Sequence, residues 1–546
     1  MTTSVAADLI LRGGSLYEPG VTAPQRADLA IAGGTVIGAG DVSSTADAHT
    51  EIIDVAGRLV LPGFTDAHIH PGAAQLEDLQ CNLVGGTDAA GYLATIRGYA
   101  GANGDVDWLT GGGWAEEHFP GDSPQPAQLD TATGPRPAYL LNRDHHSAWV
   151  NTAALAAAGV TDSTVDPSDG RIGRDDAGRL TGVLYEGAMD LVSRVLPRPG
   201  PDLLRQALLG AQTRLHAYGI TGWQDAIVGV TASMPDFYDT YRALDDEHLL
   251  TAKVVGALWW DRHEGVEQLD GLRERKDAVT GSNFAATAVK MMLDGICESH
   301  TAALLSPYRL PPGDHRDPAN RGLEFIDPEA LRQAVIAADS VGFQVHFHAL
   351  GDRAVRIALD AVDAVRSANP ASTARHQLAH LQIVNPADVP RFGSLRVTAN
   401  AQALWACNDA AMSDLTVPFL GAERSAQQYP FAAIARSGGR LALGSDWPVS
   451  TPDPMAIVAT AVNRVPVDDR SAEPFLPDER LTLAQALTAA TAGSGWLNGR
   501  TASLATGSVA DIAILDADPF AGASDEIADR HAVGTLVDGR WVHRAI

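Results

Sequence analysis

Two histidines separated by one residue, next to an apolar segment, are the feature of this sequence that points most directly to chemistry. His68 and His70 follow the apolar stretch Leu59 to Leu61 and the pair Pro62-Gly63. Because side chains alternate between the two faces of a strand, both imidazoles point the same way. Two imidazoles on one face can share a divalent ion such as Zn²⁺. The alternative is two polar histidines on an exposed strand face, and residues further along the chain argue against it.

Further candidate residues follow in series on predicted strands or at strand ends. They are Lys290, His346, His348, His380 and Asp446. A lysine within a strand as apolar as Thr287 to Leu293 is costly unless it has a partner or a chemical role. Active sites of parallel barrels gather at the C-terminal ends of the strands, which is where this series falls. Taken together after the His-x-His pair, these residues predict a metal centre.

The residue types suit hydrolysis. A metal ion lowers the pKa of a bound water from about 16 to about 7 and polarises a substrate carbonyl. A carboxylate beside that water can take its proton and pass it to a leaving amine, and Asp446 is placed for this role. A neutral Lys290 amine could react with CO₂ to form a carbamate that bridges two metal ions. The alternatives are a turn cap for Asp446, an ion pair between Lys290 and Asp294, and core packing for the histidines.

The elements that must position these residues predict an α/β fold. From Asp327 onward, strands alternate with helices, and Asn385-Pro386 is predicted to begin one of the helices. Repeated βα units indicate a parallel sheet, and at this length a (β/α)₈ TIM barrel is the first choice. A doubly wound open sheet is the rival, although no Gly-x-Gly-x-x-Gly follows a first strand.

Both ends of the chain carry short strand-like runs separated by glycines, and Asp538-Gly539 is typical of a hairpin turn. We therefore predict one small β domain built from residues 1–62 and 490–546. The barrel would occupy residues 63–489. An insertion rich in glycine and proline, at about residues 81–182, would partly cover the mouth of the barrel.

Composition excludes several classes of function. The 546 residues carry a net charge of -27, which disfavours nucleic acid and anionic membrane surfaces as partners. Three widely spaced cysteines form neither a disulfide framework nor a Cys-x-x-Cys metal site. We find no signal peptide and no apolar stretch of about 20 residues, so a cytoplasmic location is expected.

The order of these residues and their local context resemble the amidohydrolase superfamily. The similarity is greatest to the branch of metal-dependent hydrolases that includes N-substituted formamide deformylases. The segments that carry it are LVLPGFTDAHIHP, RDHHSAWVNTAAL, GVLYEGAM, VKMMLDG, QVHFHALGDRAV, HQLAHLQ, LGSDWPV and GSVADIAILDADP. The resemblance implies a metal-bearing TIM barrel with a β-sandwich domain. It also implies a carboxylated Lys290, a catalytic Asp446 that reaches the metal, and metal-binding His68, His70, His348 and His380.

Other residues are predicted on the substrate side of this centre. His146 resembles a residue of this branch that polarises the carbonyl, with a lid or surface role as the alternative. His346 is not at the usual ligand position and is expected behind a ligand or along the pocket. Trp114, Trp149, Trp405 and Trp447 are expected near the mouth of the barrel, some of them as ordinary core or lid packing. If the others line the pocket, the substrate carries an apolar or aromatic group.

The sequence therefore predicts a metal-dependent hydrolase of a non-peptide C–N bond in an amide, N-formyl or cyclic amide substrate. One or two Zn²⁺ ions are expected, with Mn²⁺ or Fe²⁺ as alternatives. The resemblance to the family also suggests a homodimer. Three alternatives stay open. They are ester or phosphoester hydrolysis at the same site, a lyase that uses Lys290 as a Schiff base, and a metal-binding protein without catalysis.

Overall fold

A computed structural model describes residues 6–119, 124–310 and 317–546. Its central sheet consists of eight strands, and each of them pairs in parallel with its neighbour. In chain order, from the first barrel strand to the eighth, they are Phe64–Ile69, Ile220–Val228, Lys253–Trp259, Phe284–Met292, Gln344–Ala349, Gln377–His380, Thr398–Ala401 and Arg440–Leu443. Spatial order follows chain order, as a barrel requires, and the predicted α/β barrel is confirmed.

The first and eighth barrel strands are joined just beyond the end of the eighth. The Asp446 amide donates to the His68 carbonyl over 2.7 Å, and the His70 amide donates to the Trp447 carbonyl over 2.9 Å. Gly444 lies at this seam, where an added Cβ would come within 2.7 Å of the His68 Cβ. The rival open sheet is therefore wrong, because its two edge strands would lie far apart.

A chain of amide side chains crosses the barrel interior. Gln377 donates to Gln224 over 2.6 Å, although their strands are not neighbours in the sheet. Asn400 donates to Gln377 and to the Ala67 carbonyl, each over 2.8 Å. These paired amides satisfy polar groups that would otherwise be costly to bury, and they hold the strands that carry the predicted site.

Helices cover the outside of the barrel and the inserted region. They span Pro71–Asp78, Ala89–Ala102, Pro126–Thr133, Thr152–Ala158, Asp190–Ser193, Pro201–Ala217, Tyr238–Asp246, Leu269–Asp277, Pro328–Ser340, Asp352–Ala368, Val389–Ser394, Val417–Ser425, Phe431–Arg436, Pro454–Asn463, Leu483–Thr488 and Ser494–Leu497. The helix predicted to begin at Asn385-Pro386 begins instead at Val389. The Asn385 side chain accepts the amide of Ala387 over 3.0 Å, and this contact forms a turn rather than a first helical turn.

The small β domain built from both chain ends is confirmed. Its sheet combines Leu9–Leu16, Gln25–Ala32, Thr35–Gly40, Glu51–Asp54, Leu59–Pro62, Ile512–Leu515, Ala532–Val537 and Arg540–Arg544. The predicted hairpin turn has positive φ at both Asp538 and Gly539, at 49° and 72°. That geometry matches the twist of the flanking strands. The exact domain boundaries stay predictions.

The region after the first barrel strand forms a sheet of its own. Its six strands are Cys81–Asn82, Leu109–Trp114, Ala138–Asn142, Ser147–Val150, Gly170–Arg174 and Leu180–Glu186. We refer to this sheet, with its helices, as the inserted domain. It continues past residue 182 to Glu186, and the helices Asp190–Ser193 and Pro201–Ala217 then lead to the second barrel strand. Within the described ranges, no helix is both long and apolar enough to cross a membrane.

Substituting Gly444 tests the tight closure of the barrel. Gly444→Ala should lower the free energy of unfolding by roughly 1–3 kcal/mol, because the new methyl group would push the first and eighth strands apart. The matched control is Gly98→Ala, at an exposed position of the helix Ala89–Ala102, where no heavy atom outside the local helix backbone lies within 4 Å of the added Cβ. That change should leave stability equal or raise it by up to about 1 kcal/mol. Urea unfolding measures both, and equal stabilities of the two variants would contradict the close packing.

Candidate metal centre and active site

His68, His70 and Asp446 meet at the seam of the barrel. The Asp446 Oδ1 atom lies 3.3 Å from His68 Nε2 and 3.1 Å from His70 Nε2. All three residues are buried, and one ligand atom from each lies within 4.8 Å of the others. The two imidazoles reach one carboxylate because they alternate along a single chain segment.

Lys290, His348 and His380 complete the cluster from the fourth, fifth and sixth barrel strands. The Lys290 Nζ atom lies 3.5 Å from His68 Nε2. The His380 ring centre lies 4.7 Å from that of His68 and 4.4 Å from that of His348. The structure thus brings together all six residues that the sequence predicts as metal ligands, and their role as ligands stays a prediction.

Burial sets the charge of each group. It lowers the pKa of His68 to about 3 and also lowers the pKa of His70, His348 and His380. These imidazoles are therefore neutral, which is the form that binds metal. Burial lowers the pKa of Lys290 to about 7, so a large fraction of its amine is uncharged near neutral pH.

Asp446, unlike the histidines, is charged at neutral pH. Burial alone would raise the pKa of its carboxyl, but the adjacent His68 and His70 outweigh burial and hold that pKa well below its ordinary value. Asp446 is therefore an anion among neutral nitrogen donors. This combination can take part in metal binding and in proton transfer.

The donor atoms of this cluster fit a divalent cation. Among the residues that the structure describes, several buried ring nitrogens have no hydrogen-bond partner: His70 Nδ1, His348 Nδ1, and both Nδ1 and Nε2 of His380. Leaving a buried polar atom unsatisfied costs about 1–3 kcal/mol. Imidazoles and a carboxylate are common ligands of Zn²⁺, while imidazoles also suit Fe²⁺ and carboxylates suit Mn²⁺.

Buried polar groups fix the backbone on either side of the seam. The Asp66 carboxylate accepts the amides of His68 over 3.0 Å and Ser445 over 3.1 Å. The Gln402 side chain accepts the His380 amide over 2.7 Å, where the φ of His380 is 77°. These contacts hold the segments that carry the candidate ligands. One of those ligands, His380, has a backbone conformation that histidine rarely adopts.

His346 lies behind His68 rather than along the cavity. Its Nε2 atom is 2.9 Å from His68 Nδ1, and its side chain is fully buried. A partner on the second ring nitrogen fixes the orientation and tautomer of a metal-binding histidine. Of the two positions that the sequence allowed, the structure therefore favours the one behind a ligand.

The cluster lies at the bottom of a cavity of about 1180 Å³, with the inserted domain forming part of its wall. His146 lines this cavity, and its ring centre lies 5.2 Å from that of His348. Burial opposes protonation of His146, but its contact with Glu186 at 3.0 Å raises the pKa of His146 to about 9. His146 is therefore a charged donor facing the same space as the cluster.

The four tryptophans expected near the mouth fall in different places, and Trp447 is buried in the main hydrophobic core. Trp405 lines the cavity and stacks on His380, with ring centres 5.2 Å apart and planes 12° from parallel. Trp114 and Trp149 do not reach the cavity. Both are fully buried in the core of the inserted domain, where their rings pack on Phe119. The structure therefore does not place Trp114 and Trp149 along the cavity, because their strands direct them into that core.

Two acidic residues near the cluster are not predicted as site residues from the sequence. Glu186 contacts His146, and Glu77 lies 2.7 Å from His145 Nε2. Glu186 lies within the segment GVLYEGAM, so a signal for it was present in the sequence. Glu77 is one of many acidic residues in this chain, and only the folded structure pairs it with a histidine.

Comparison with known proteins agrees with this geometry. Residues 51–543 match the model of the amidohydrolase family. Protein LONG AFTER FAR-RED 3 of Arabidopsis thaliana is 30% identical over 555 residues, covering 99% of this chain and 92% of that protein. The N-substituted formamide deformylase of Arthrobacter pascens is 25% identical over 524 residues, covering 91% of each chain.

A solved structure also has the same fold. An uncharacterized metal-dependent hydrolase from Pyrococcus furiosus superimposes with a TM-score of 0.70 at 25% identity. The match covers 94% of this chain and 99% of that one. The family match spans the barrel, the inserted domain and the part of the terminal β domain between residues 51 and 543. This chain belongs to the amidohydrolase family.

Proposed function

We propose that this protein hydrolyses a non-peptide C–N bond of a small amide, N-formyl or cyclic amide, with the help of a divalent metal ion. The observation that carries the proposal is the group of four buried, neutral histidines around an ionised Asp446 at the bottom of a large cavity. Family membership supports it, as does the likeness to an N-substituted formamide deformylase.

The proposed ligands are the cluster of six residues described above: His68, His70, Lys290, His348, His380 and Asp446. A divalent ion, Zn²⁺ in the first instance, would activate a water molecule and polarise the substrate carbonyl. Lys290 suits the role of a carboxylated ligand because its lowered pKa leaves a neutral amine. Its Nζ would bond to the carbon of CO₂ and lose a proton, which gives an anionic group able to reach two ions.

Asp446 is the proposed proton carrier. Its Oδ1 atom faces His68 and His70, whereas its Oδ2 atom has a more distant neighbour, His380 Nδ1 at 3.9 Å. The carboxylate would accept a proton from the attacking water and deliver it to the leaving nitrogen. Since an amine is expelled slowly without a proton, this transfer typically contributes about 10²–10⁴-fold to the rate.

Residues along the cavity would hold the rest of the substrate. The charged His146 would donate a hydrogen bond to the carbonyl oxygen, where negative charge develops during attack. Trp405, Met292 and Leu404 are apolar residues that line the same cavity as the cluster. These features support a substrate with an apolar or aromatic group next to the amide.

A Schiff-base lyase is the second candidate, because the lowered pKa of Lys290 also suits a nucleophilic amine. That role leaves the histidines and Asp446 without a function. Trapping with borohydride in the presence of substrate separates the two, since only a Schiff base gives a stable covalent adduct on Lys290.

A screen of simple amides tests the proposed function. The purified chain, loaded with Zn²⁺ or Mn²⁺, should release free amine from at least one N-formyl or N-acetyl derivative of benzylamine or aniline. Removal of the metal with a chelator should abolish the release, and added metal should restore it. A fluorescent amine reagent measures the product. Chelator-resistant hydrolysis would contradict a metal-dependent reaction.

Asp446→Asn tests the proton carrier. The variant should keep its fold, while kcat for the best amide falls by about 10²–10⁴-fold because the leaving nitrogen lacks a proton. A p-nitrophenyl ester of the same acid needs no proton on its leaving group, so its rate should fall much less. Steady-state kinetics and metal analysis on the same samples separate loss of proton transfer from loss of metal. An equal loss on amide and ester at full metal content would refute the role.

A further inference from the structure

Glu186 has a backbone conformation that glutamate rarely adopts. It ends the last strand of the inserted domain with a φ of 51° and a ψ of −129°. Such a conformation costs on the order of 1–3 kcal/mol in a residue with a side chain, and it persists only where surrounding contacts impose it. Only 4% of the Glu186 side chain is exposed, so those contacts are internal.

The contacts come from two parts of the molecule. Within the inserted domain, both carboxylate oxygens lie 3.0–3.1 Å from His146 Nδ1, and the Glu186 amide donates to the His146 carbonyl over 3.0 Å. From the barrel, the Thr301 hydroxyl donates to Glu186 Oε1 over 2.8 Å. The carboxylate is therefore fixed between the imidazole and a loop that follows the fourth barrel strand.

That loop leaves room for the carboxylate and for little else. A Cβ on Gly295 would lie 2.1 Å from Glu186 Oε1 and 2.1 Å from the Thr301 hydroxyl oxygen. Any side chain at this position would displace the glutamate. The loop is thus shaped around a carboxylate that serves a histidine of the inserted domain.

We propose that Glu186 is a positioning residue, which holds His146 with its Nε2 atom available to the substrate carbonyl. This inference rests on the proposed amide hydrolysis. Because Nδ1 is engaged by the carboxylate, Nε2 is the ring nitrogen left to face the substrate. Through Thr301, the barrel sets where the inserted domain places its catalytic donor.

A control variant separates the proposed positioning role of Glu186 from a purely structural role. Asp169 is a second carboxylate of the inserted domain that contacts the barrel, with its Oδ2 atom 2.7 Å from Arg262 Nε. Asp169 lies outside the cavity lining, and the side chains that its carboxylate contacts among the described residues are Arg262 and His263, not His146. Asp169→Asn therefore removes a charged contact between the two parts of the molecule and leaves His146 untouched, which makes it a matched control for Glu186→Gln.

The experiment compares both variants on an N-acetyl anilide and its N-trifluoroacetyl counterpart. For Glu186→Gln we expect kcat on the acetyl substrate to fall roughly 10–100-fold, with little change in KM. The loss should be smaller on the trifluoroacetyl substrate, whose electron-poor carbonyl needs less help from a donor. Glu186→Asp should recover part of the rate. Asp169→Asn should lower the melting temperature and leave kcat close to that of the wild type.

Other outcomes would overturn the inference. Equal losses on both substrates, or the same loss in Asp169→Asn, would mean that Glu186 acts only through stability. If Glu186→Gln does not fold, Thr301→Val removes the hydroxyl that holds the carboxylate and should show the same dependence on substrate; an unchanged rate would refute the proposal. A wild-type protein without metal-dependent amidase activity would instead refute the proposed function, so the two failures are distinguishable.

Discussion

The rest of the site depends on the contact between Asp446 and the pair His68 and His70. This contact joins the first and last strands of the barrel, and the adjacent backbone hydrogen bonds make the same connection. The chain segments that close the barrel therefore also carry three of the candidate metal ligands, His68, His70 and Asp446. The buried anion is tolerated because two imidazoles face it, and those imidazoles stay neutral because they are buried.

The barrel carries the six clustered residues, and the inserted domain carries residues that line the same cavity. His146 and Glu186 come from the inserted domain, whereas Thr301 and Gly295 come from the barrel loop that receives the Glu186 carboxylate. In this family fold, the strand ends carry the reactive groups, and the connections between strands are free to vary. The inserted domain is such a connection, and we expect its residues to set substrate preference.

Much of the fold and the cluster could be predicted from the sequence, because both depend on local periodicity. Alternation along a strand puts His68 and His70 on one side, and βα repeats predict parallel strands whose C-terminal ends meet. The features that could not be predicted depend on contacts between distant parts of the chain. Alternation gives the face of a strand but does not show what covers that face, so it does not reveal that Trp114 and Trp149 pack in the core of the inserted domain. The pairing of His146 with Glu186 depends on two strands separated by many residues, which no local pattern reveals.

The central claim is that the six clustered residues hold metal and that Lys290 does so as a carbamate. The most direct test is X-ray diffraction, with anomalous data at the zinc absorption edge, from crystals grown with Zn²⁺ and bicarbonate. The account predicts anomalous density among His68, His70, His348, His380 and Asp446, with continuous density for a carboxyl group on Lys290 Nζ. An unmodified Lys290 paired with Asp294, and no anomalous density at the seam of the barrel, would contradict it.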